Sequence, residues 1–314
     1  MSLKKIITGI LAAVMITVFT GAATGCKARK TDLSGKVQIL CTTFPQYDWT
    51  MNIIGENFNT TVLSLLIKNG IDMHSYQPSA ADIIAIANCD LLIYTGGESE
   101  EWIRNALKQP ECQNVKAVAL MDLLSDKLKE KNPEEDEFDE HVWLSVKNSI
   151  IFTKAITEEL IKLDSQNEEY YRNHCDSYIK KLNELDEEYE MTLSSAPQNT
   201  IIVCDRFPFR YLAKDYNLNY YAAFPGCEAE TEASFETIAF LAGKLDELKC
   251  KGIFKIDGSK DKICQTVISN SKQPLTNIQT LDSMQSATLR DSYKEKTYIS
   301  TMRANLDELR NALY

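Results

Sequence analysis

Two of the three histidines in the chain lie in polar segments that could bind a metal ion. His74 lies within residues 70–79 and His141 within residues 139–145. Imidazole nitrogens are common ligands of Zn²⁺ and are also used for Mn²⁺. Because the two histidines are far apart in the sequence, only the folded chain can bring them together. The third, His174, lies within a long helical stretch and is expected to be structural.

The second half of the chain supplies carboxylates that could face these histidines. They follow predicted strands and are Asp205, Glu228, Glu230, Glu232, Asp257 and Asp282. Two imidazoles facing carboxylates across a cleft form a donor set that suits Zn²⁺ or Mn²⁺. Asp72 and Glu140, beside the histidines, are expected to support ligands or to face solvent. A single loop histidine is more often a surface or capping residue, so spacing alone leaves both interpretations open.

The elements that must position these residues alternate between short apolar strands and helices. Strands are predicted at residues 37–41, 60–66, 90–94, 116–120, 200–204, 219–223, 252–256 and 278–281. Strands that alternate with helices of about ten residues predict parallel sheets with right-handed crossovers. Ligands of open parallel sheets bind beyond the carboxyl ends of the strands. The candidate histidines and carboxylates fall at these ends.

A long helical region separates the two sets of strands. Residues 145–163 and 167–191 contain little Gly or Pro, and the second stretch has large apolar residues at helical spacing. We therefore predict an α/β protein with two similar lobes, each a four-stranded parallel sheet flanked by helices, joined by a long rigid linker helix. The predicted boundaries are 36–166 for the first lobe, 167–194 for the linker helix and 195–314 for the second lobe.

The start of the chain is typical of a secretory signal peptide, predicted at residues 1–25. Two lysines precede an uncharged, mostly apolar run at 6–19, which is shorter than the roughly 20 residues that a spanning helix needs. The tetrapeptide that ends at Cys26 resembles a bacterial lipobox, which implies acylation of Cys26 and a tether at 26–35. The alternative is a plain N-terminal anchor with an incidental cysteine. We predict a protein held to the cell membrane by lipid, outside the cytoplasm.

Composition and charge exclude several classes of protein. The 314 residues include 34 Lys and Arg against 45 Asp and Glu, a net charge of −11, with 44% hydrophobic and 25% charged residues. These values are typical of a soluble globular protein and exclude a disordered chain or a multi-span membrane protein. An acidic chain is a poor ligand for phosphates, so no nucleic-acid partner is expected. We expect a monomer.

Several motifs resemble those of one protein family, the zinc- and manganese-binding solute-binding lipoproteins of bacterial ABC importers. The matching segments are His74-Ser75-Tyr76-Gln77-Pro78-Ser79, Asp139-Glu140-His141-Val142-Trp143, Thr43-Phe44-Pro45, Gly96-Gly97-Glu98-Ser99-Glu100-Glu101-Trp102, Tyr211 with Tyr216-Asn217-Leu218, and Glu232-Ala233-Ser234. The resemblance extends over about residues 36–313. It implies two α/β lobes with the metal between them and little hinge motion. It also implies a membrane permease and a cytoplasmic ATPase as partners.

The resemblance also assigns roles to particular residues. It implies that His74, His141 and Asp282 are metal ligands. The family usually has a third histidine after the first strand of the second lobe, and Arg206 stands at that position here. A guanidinium cannot bind a metal and stays charged. Arg206 should therefore oppose binding of a cation unless a carboxylate neutralises it.

Three ways of completing the site remain open. Asp205, or Cys204 as a thiolate, could turn inward and bind the metal, and a thiolate would favour zinc over manganese. Glu228, Glu230 or a water molecule could instead fill the coordination shell. Alternatively, Arg206 could hold an acidic partner, leaving a weaker site or a site for a metal chelate. We favour a carboxylate or water.

The function predicted from the sequence is capture of Zn(II), with Mn(II) as the alternative, for delivery to the permease of an ABC importer. No enzyme activity is predicted. A zinc hydrolase using Glu140 or a second-lobe Glu as general base is the first alternative, but the chain has neither an HExxH nor a Gly-x-Ser-x-Gly motif. A surface adhesin or a binder of another solute is the second alternative, which no motif supports directly.

Overall fold

The computed structural model describes most of the chain after the N-terminal segment. The described residues are 35–57, 59–68, 70–131, 137–224, 226, 233–273, 277–288 and 296–314. The predicted signal peptide, the tether up to residue 34, Cys26, Glu228 and Glu230 lie outside them. Within this part, Lys36–Tyr314 form one compact unit. The lobe boundaries given above stay a prediction.

Two four-stranded sheets organise the unit, and neighbouring strands in both are parallel. The strands are β1 (Val37–Cys41), β2 (Thr61–Leu65), β3 (Leu91–Tyr94), β4 (Lys116–Ala119), β5 (Thr200–Arg206), β6 (Asn219–Phe224), β7 (Ile253–Ile256) and β8 (Ile278–Leu281). The first sheet has the order β2-β1-β3-β4 and the second has the order β6-β5-β7-β8. The repeated order confirms the predicted fold of two similar α/β lobes, and each strand lies within two residues of its predicted bounds.

Nine α-helices in the described residues flank these sheets. They are α1 (Phe44–Ile54), α2 (Ala80–Ala87), α3 (Glu101–Ala106), α4 (Val146–Leu163), α5 (Glu168–Ser194), α6 (Arg210–Asp215), α7 (Phe235–Leu248), α8 (Lys262–Asn270) and α9 (Tyr298–Leu313). In the described part, no helix is both long and apolar enough to span a membrane.

The start of α2 illustrates how the sequence sets a helix terminus. The Asp82 carboxylate accepts hydrogen bonds from the Ser79 backbone N–H and hydroxyl, both at 2.7 Å. This contact satisfies a backbone donor that the first turn leaves unpaired. Ser79 and Asp82 thus form a capping box at the start of the helix. It ends the loop that follows β2, which carries His74.

The loop between β3 and α3 contains two glycines with positive φ angles. Helix α3 begins at Glu101, and Gly96 and Gly97 before it have φ angles of +84° and +91°. These angles lie in the left-handed region, which glycine adopts without a Cβ clash. A Cβ on Gly97 would lie 2.5 Å from Glu140 Oε1. The two glycines therefore let the loop pack closely against the segment that carries His141.

The long helix α5 joins the two lobes through packing rather than as a bare connector. It packs against α1 and α4 of the first lobe and against α9 of the second. Its buried side chains include Tyr171, Tyr178 and Tyr189. One continuous core cluster contains both Leu92 of the first sheet and Val203 of the second. A shared apolar core opposes relative motion of the lobes, as the resemblance leads us to expect.

A buried carboxylate marks the junction of three of these helices. Asp48 of α1 accepts hydrogen bonds from the Tyr178 hydroxyl of α5 at 3.1 Å and from the Tyr298 backbone N–H of α9 at 3.2 Å. Burial raises the pKa of Asp48 to about 6, although both hydrogen bonds lower it. The folded protein therefore holds the Asp48 proton more tightly than the unfolded chain does.

This difference predicts how stability depends on pH. Between the ordinary pKa of 3.8 and the folded value of about 6, the folded state binds more protons, so stability falls as the pH rises through this window. We expect Asp48→Asn to flatten the profile, with wild type losing about 1 kcal/mol more than the variant between pH 5 and pH 7. Urea unfolding at pH 5 and pH 7, with a metal chelator present, measures this difference in the free energy of unfolding. Asp176→Asn, at an exposed position on α5, is the control, and parallel wild-type and Asp48→Asn profiles would contradict the prediction.

Candidate metal centre

The fold brings His74 and His141 into contact at the carboxyl edge of the first sheet. His74 lies in the 3₁₀ turn Met73–Ser75 after β2, and His141 precedes the turn Val142–Leu144 after β4. Strands β2 and β4 are the outer strands of the sheet, so the two loops reach toward each other across its edge. The Nε2 atoms of the two rings are 3.1 Å apart. The convergence expected from the sequence is therefore present for these two side chains.

A buried carboxylate orients His141. The Asp139 Oδ1 atom lies 2.8 Å from His141 Nδ1, and the His141 ring is fully buried. Since a carboxylate can only accept, Nδ1 carries the proton and Nε2 keeps its lone pair. Asp139 Oδ2 lies 3.1 Å from Arg210 Nε. Burial alone would raise the pKa of Asp139, but the His141 ring and the Arg210 guanidinium hold it below its ordinary value.

A hydroxyl group orients His74 in the same way. His74 Nδ1 lies 2.7 Å from Ser99 Oγ, and the Ser99 backbone N–H donates to Glu140 Oε1 at 2.8 Å. Burial and the neighbouring His141 ring lower the pKa of His74 to about 4. The ring is consequently neutral near pH 7, the form in which imidazole binds a metal. Partners on both Nδ1 atoms turn both Nε2 atoms toward one point.

The spacing of the two Nε2 atoms is close to that of two ligands on one zinc ion. Zn–N bonds of about 2.0–2.1 Å at a tetrahedral angle place the nitrogens roughly 3.3–3.4 Å apart. The observed separation of 3.1 Å is within a few tenths of an ångström of this value. The imidazole pair therefore fits half of a tetrahedral coordination shell.

The second lobe reaches this pair through the loop after β8. Gln285 Nε2 lies 2.9 Å from His141 Nε2 and 3.4 Å from Asp72 Oδ1, to which it donates. The Trp143 indole N–H donates to the Ser283 carbonyl at 2.9 Å. These contacts join the His141 segment to the loop that carries Asp282.

Arg206 has an acidic partner from the first lobe. Its Nη1 atom donates to Asp72 Oδ2 at 3.2 Å, and the two side chains are 21% and 15% exposed. Asp72 Oδ1 also accepts from the His74 backbone N–H at 3.0 Å. One of the three alternatives for completing the site was that Arg206 holds an acidic partner. The Arg206–Asp72 contact is the one that this alternative requires.

Asp282 lies at the same place but is bound to a lysine. Its Oδ2 atom is 2.6 Å from Lys296 Nζ, and its Oδ1 atom accepts from the Met284 backbone N–H at 2.7 Å. It lines a small cavity of about 20 Å³ together with Asp72 and Arg206. Among the described residues, no group of three or more His, Cys, Asp or Glu side chains is arranged to hold a metal ion. The role of Asp282 as a ligand thus stays a prediction.

The remaining candidates lie elsewhere or outside the described residues. Asp205 accepts from the backbone N–H groups of Arg206 at 2.9 Å and of Ile256 at 3.3 Å. Cys204 lies in a second core cluster with Cys264. The Cys264 thiol and burial hold the pKa of Cys204 far above its ordinary value, so its thiol is protonated.

Some residues of the site carried no clear sequence signal. Ser99 lies within the matching segment at residues 96–102, but its type alone gave it no role. Gln285 follows Asp282 by three residues, in a loop at the expected edge of the sheet, so its position was the available clue. Lys296 reaches Asp282 only because α9 begins beside β8. No spacing pattern would reveal that contact.

Comparison with known proteins finds relatives that are named for zinc binding and zinc uptake. The zinc-binding protein AdcA of Streptococcus pyogenes serotype M3 (strain MGAS315) is 29% identical over 303 residues, which cover 90% of this chain and 57% of that protein. The chain thus spans little more than half the length of this relative. The high-affinity zinc uptake system protein ZnuA of Bacillus subtilis (strain 168) is 28% identical, with 97% of this chain and 96% of that protein covered.

A solved structure and a family model also match most of the chain. The Zn(II)-bound ZnuA-like domain of Streptococcus pneumoniae AdcA has a TM-score of 0.75 and 28% identity, covering 89% of this chain and 99% of that one. The model of the family described as zinc-uptake complex component A, periplasmic, matches residues 39–312. The match extends over nearly all of the described unit, and the chain belongs to this family of periplasmic zinc-uptake components.

Proposed function

We propose that this protein captures Zn²⁺ outside the cytoplasm and delivers it to the membrane permease of an ABC importer, which a cytoplasmic ATPase drives. The observation that carries the proposal is the pair of Nε2 atoms 3.1 Å apart. Each ring is fixed by a partner on its Nδ1 atom. Such partners orient metal-binding histidines and strengthen their binding. The relatives named as zinc-binding and zinc-uptake proteins support the choice of metal.

The proposed ligands are His74 and His141 through Nε2 and Asp282 through its carboxylate. Water, Asp205, Glu228 or Glu230 would complete the shell. Zinc is favoured over Mn²⁺ because nitrogen ligands bind Zn²⁺ more strongly along the divalent series. The proposal assigns no catalytic step to the chain.

The location of the protein is part of the same proposal. A lipid on Cys26 would hold the monomer to the membrane, with the described unit free to meet the permease. The word lipoprotein in the name of a relative from Streptococcus pneumoniae supports this anchoring. Determination of the mature N-terminus by mass spectrometry tests it directly, since acylation adds the mass of the lipid to Cys26.

The first test compares zinc binding by wild type, His141→Ala and Cys204→Ala, measured by calorimetry after removal of metal. We expect submicromolar binding by wild type and at least a hundredfold loss in His141→Ala, because one of two fixed nitrogen ligands disappears. Cys204→Ala, in the core of the second lobe, is the control and should stay within threefold of wild type. Binding no tighter than micromolar in wild type would contradict the proposed function. Equal losses in both variants would mean that the Cys204 sulfur is a ligand.

A second test removes the group that orients His74. We expect Ser99→Ala to weaken zinc binding about tenfold, because the ring loses its Nδ1 partner and no longer points Nε2 at His141. Competition against a fluorescent zinc chelator measures the change. Ser177→Ala on the exposed face of α5 is the matched control. Unchanged affinity in Ser99→Ala would show that the hydroxyl does not position the ring.

A further inference from the structure

Donors from the second lobe hold three side chains of ligand type at the site. The Gln285 amide lies 2.9 Å from His141 Nε2, Arg206 pairs with Asp72 at 3.2 Å, and Lys296 pairs with Asp282 at 2.6 Å. Each of these contacts occupies a lone pair of a nitrogen or carboxylate oxygen that could otherwise bind a metal ion.

Arg206 differs from the other two donors in what it can do when a metal arrives. A glutamine carries no charge, so its movement leaves no charge behind. A lysine ammonium is a compact, strongly hydrated ion on a flexible stem that can turn to water. The Arg206 guanidinium is always charged and lies mostly inside the gap between the lobes, with 21% of its side chain exposed. A charge in that position is screened less than one on the surface.

We propose that Arg206 sets the affinity of the zinc site and that its guanidinium competes with the metal for the carboxylate of Asp72. This inference rests on the proposed function and deepens it. In the metal-free protein, the Arg206–Asp72 pair joins the end of β5 to the loop after β2 and offsets the charge of Asp72. Entry of Zn²⁺ requires the guanidinium to release Asp72 or to stay beside a second positive charge. Arg206 therefore weakens metal binding in place of the ligand that the family usually has there.

If Arg206 and the metal compete for Asp72, removing the charge of Arg206 and removing that of Asp72 should change zinc affinity in opposite directions. Removing the charge of Arg206 frees Asp72 to neutralise the bound metal, so affinity should rise. Removing the charge of Asp72 takes away a negative charge that offsets the positive charge of the metal, so affinity should fall. A purely structural role of the pair predicts loss of affinity in both variants, because each would disturb the same contact.

The test measures zinc affinity of the metal-free protein by competition with a fluorescent chelator, for wild type, Arg206→Gln, Arg206→His and Asp72→Asn. We expect Arg206→Gln to bind at least tenfold tighter, Arg206→His to bind tighter still because it adds an imidazole, and Asp72→Asn to bind at least tenfold weaker. Asn at position 72 retains an oxygen that can accept the His74 backbone N–H. Arg172→Gln, which removes an exposed guanidinium on α5, is the charge-matched control and should equal wild type.

The outcomes separate this inference from the proposed function. Tight binding by wild type with equal or weaker binding by Arg206→Gln would overturn the inference and leave the function intact. Absence of binding in wild type and in every Arg206 variant would contradict both. Thermal unfolding of the metal-free proteins adds a readout independent of zinc. In a double-mutant cycle, we expect Arg206→Gln and Asp72→Asn to change the free energy of unfolding non-additively. Strictly additive changes would overturn the inference.

Discussion

The contact on which the site depends is the approach of two imidazole rings whose Nε2 atoms are 3.1 Å apart. Two imidazole rings stay in so close a contact only when other groups fix their orientation. Here the Nδ1 partners do so: a buried carboxylate for His141 and a hydroxyl for His74. The carboxylate is in turn held beside a buried arginine. The arrangement that we propose binds the metal is therefore built into the first lobe and is stabilised by hydrogen bonds to groups that surround the rings.

The rest of the architecture keeps the second lobe close to that pair. Helix α5 packs on both lobes, and one apolar core extends through both sheets. The Trp143 indole donates to the Ser283 carbonyl, which joins the loop of one candidate ligand to the loop of another. Such packing opposes relative motion of the lobes. The proposed exchange of metal would then require only short movements of side chains at the gap.

Basic residues of the second lobe pair with two carboxylates near the imidazole pair. Asp72 pairs with Arg206, and Asp282 pairs with Lys296. Asp72, Arg206 and Asp282 line one small cavity. A buried ion pair is costly to break by removing one partner. The proposed entry of zinc exchanges these partners, so affinity reflects a difference between two sets of electrostatic contacts.

The sequence by itself determined the eight strands, the two lobes and the positions of both histidines at the carboxyl ends of strands, because alternation of apolar runs and loop signals is local information. It also revealed Arg206 where a ligand was expected. Only the tertiary structure decided that Ser99 and Asp139 orient the rings. It also decided that the Gln285 amide contacts His141 Nε2 and that Lys296 pairs with Asp282. These contacts join segments whose separation along the chain follows no period. They arise because strand order and helix packing bring loop ends together in space, which no local pattern encodes.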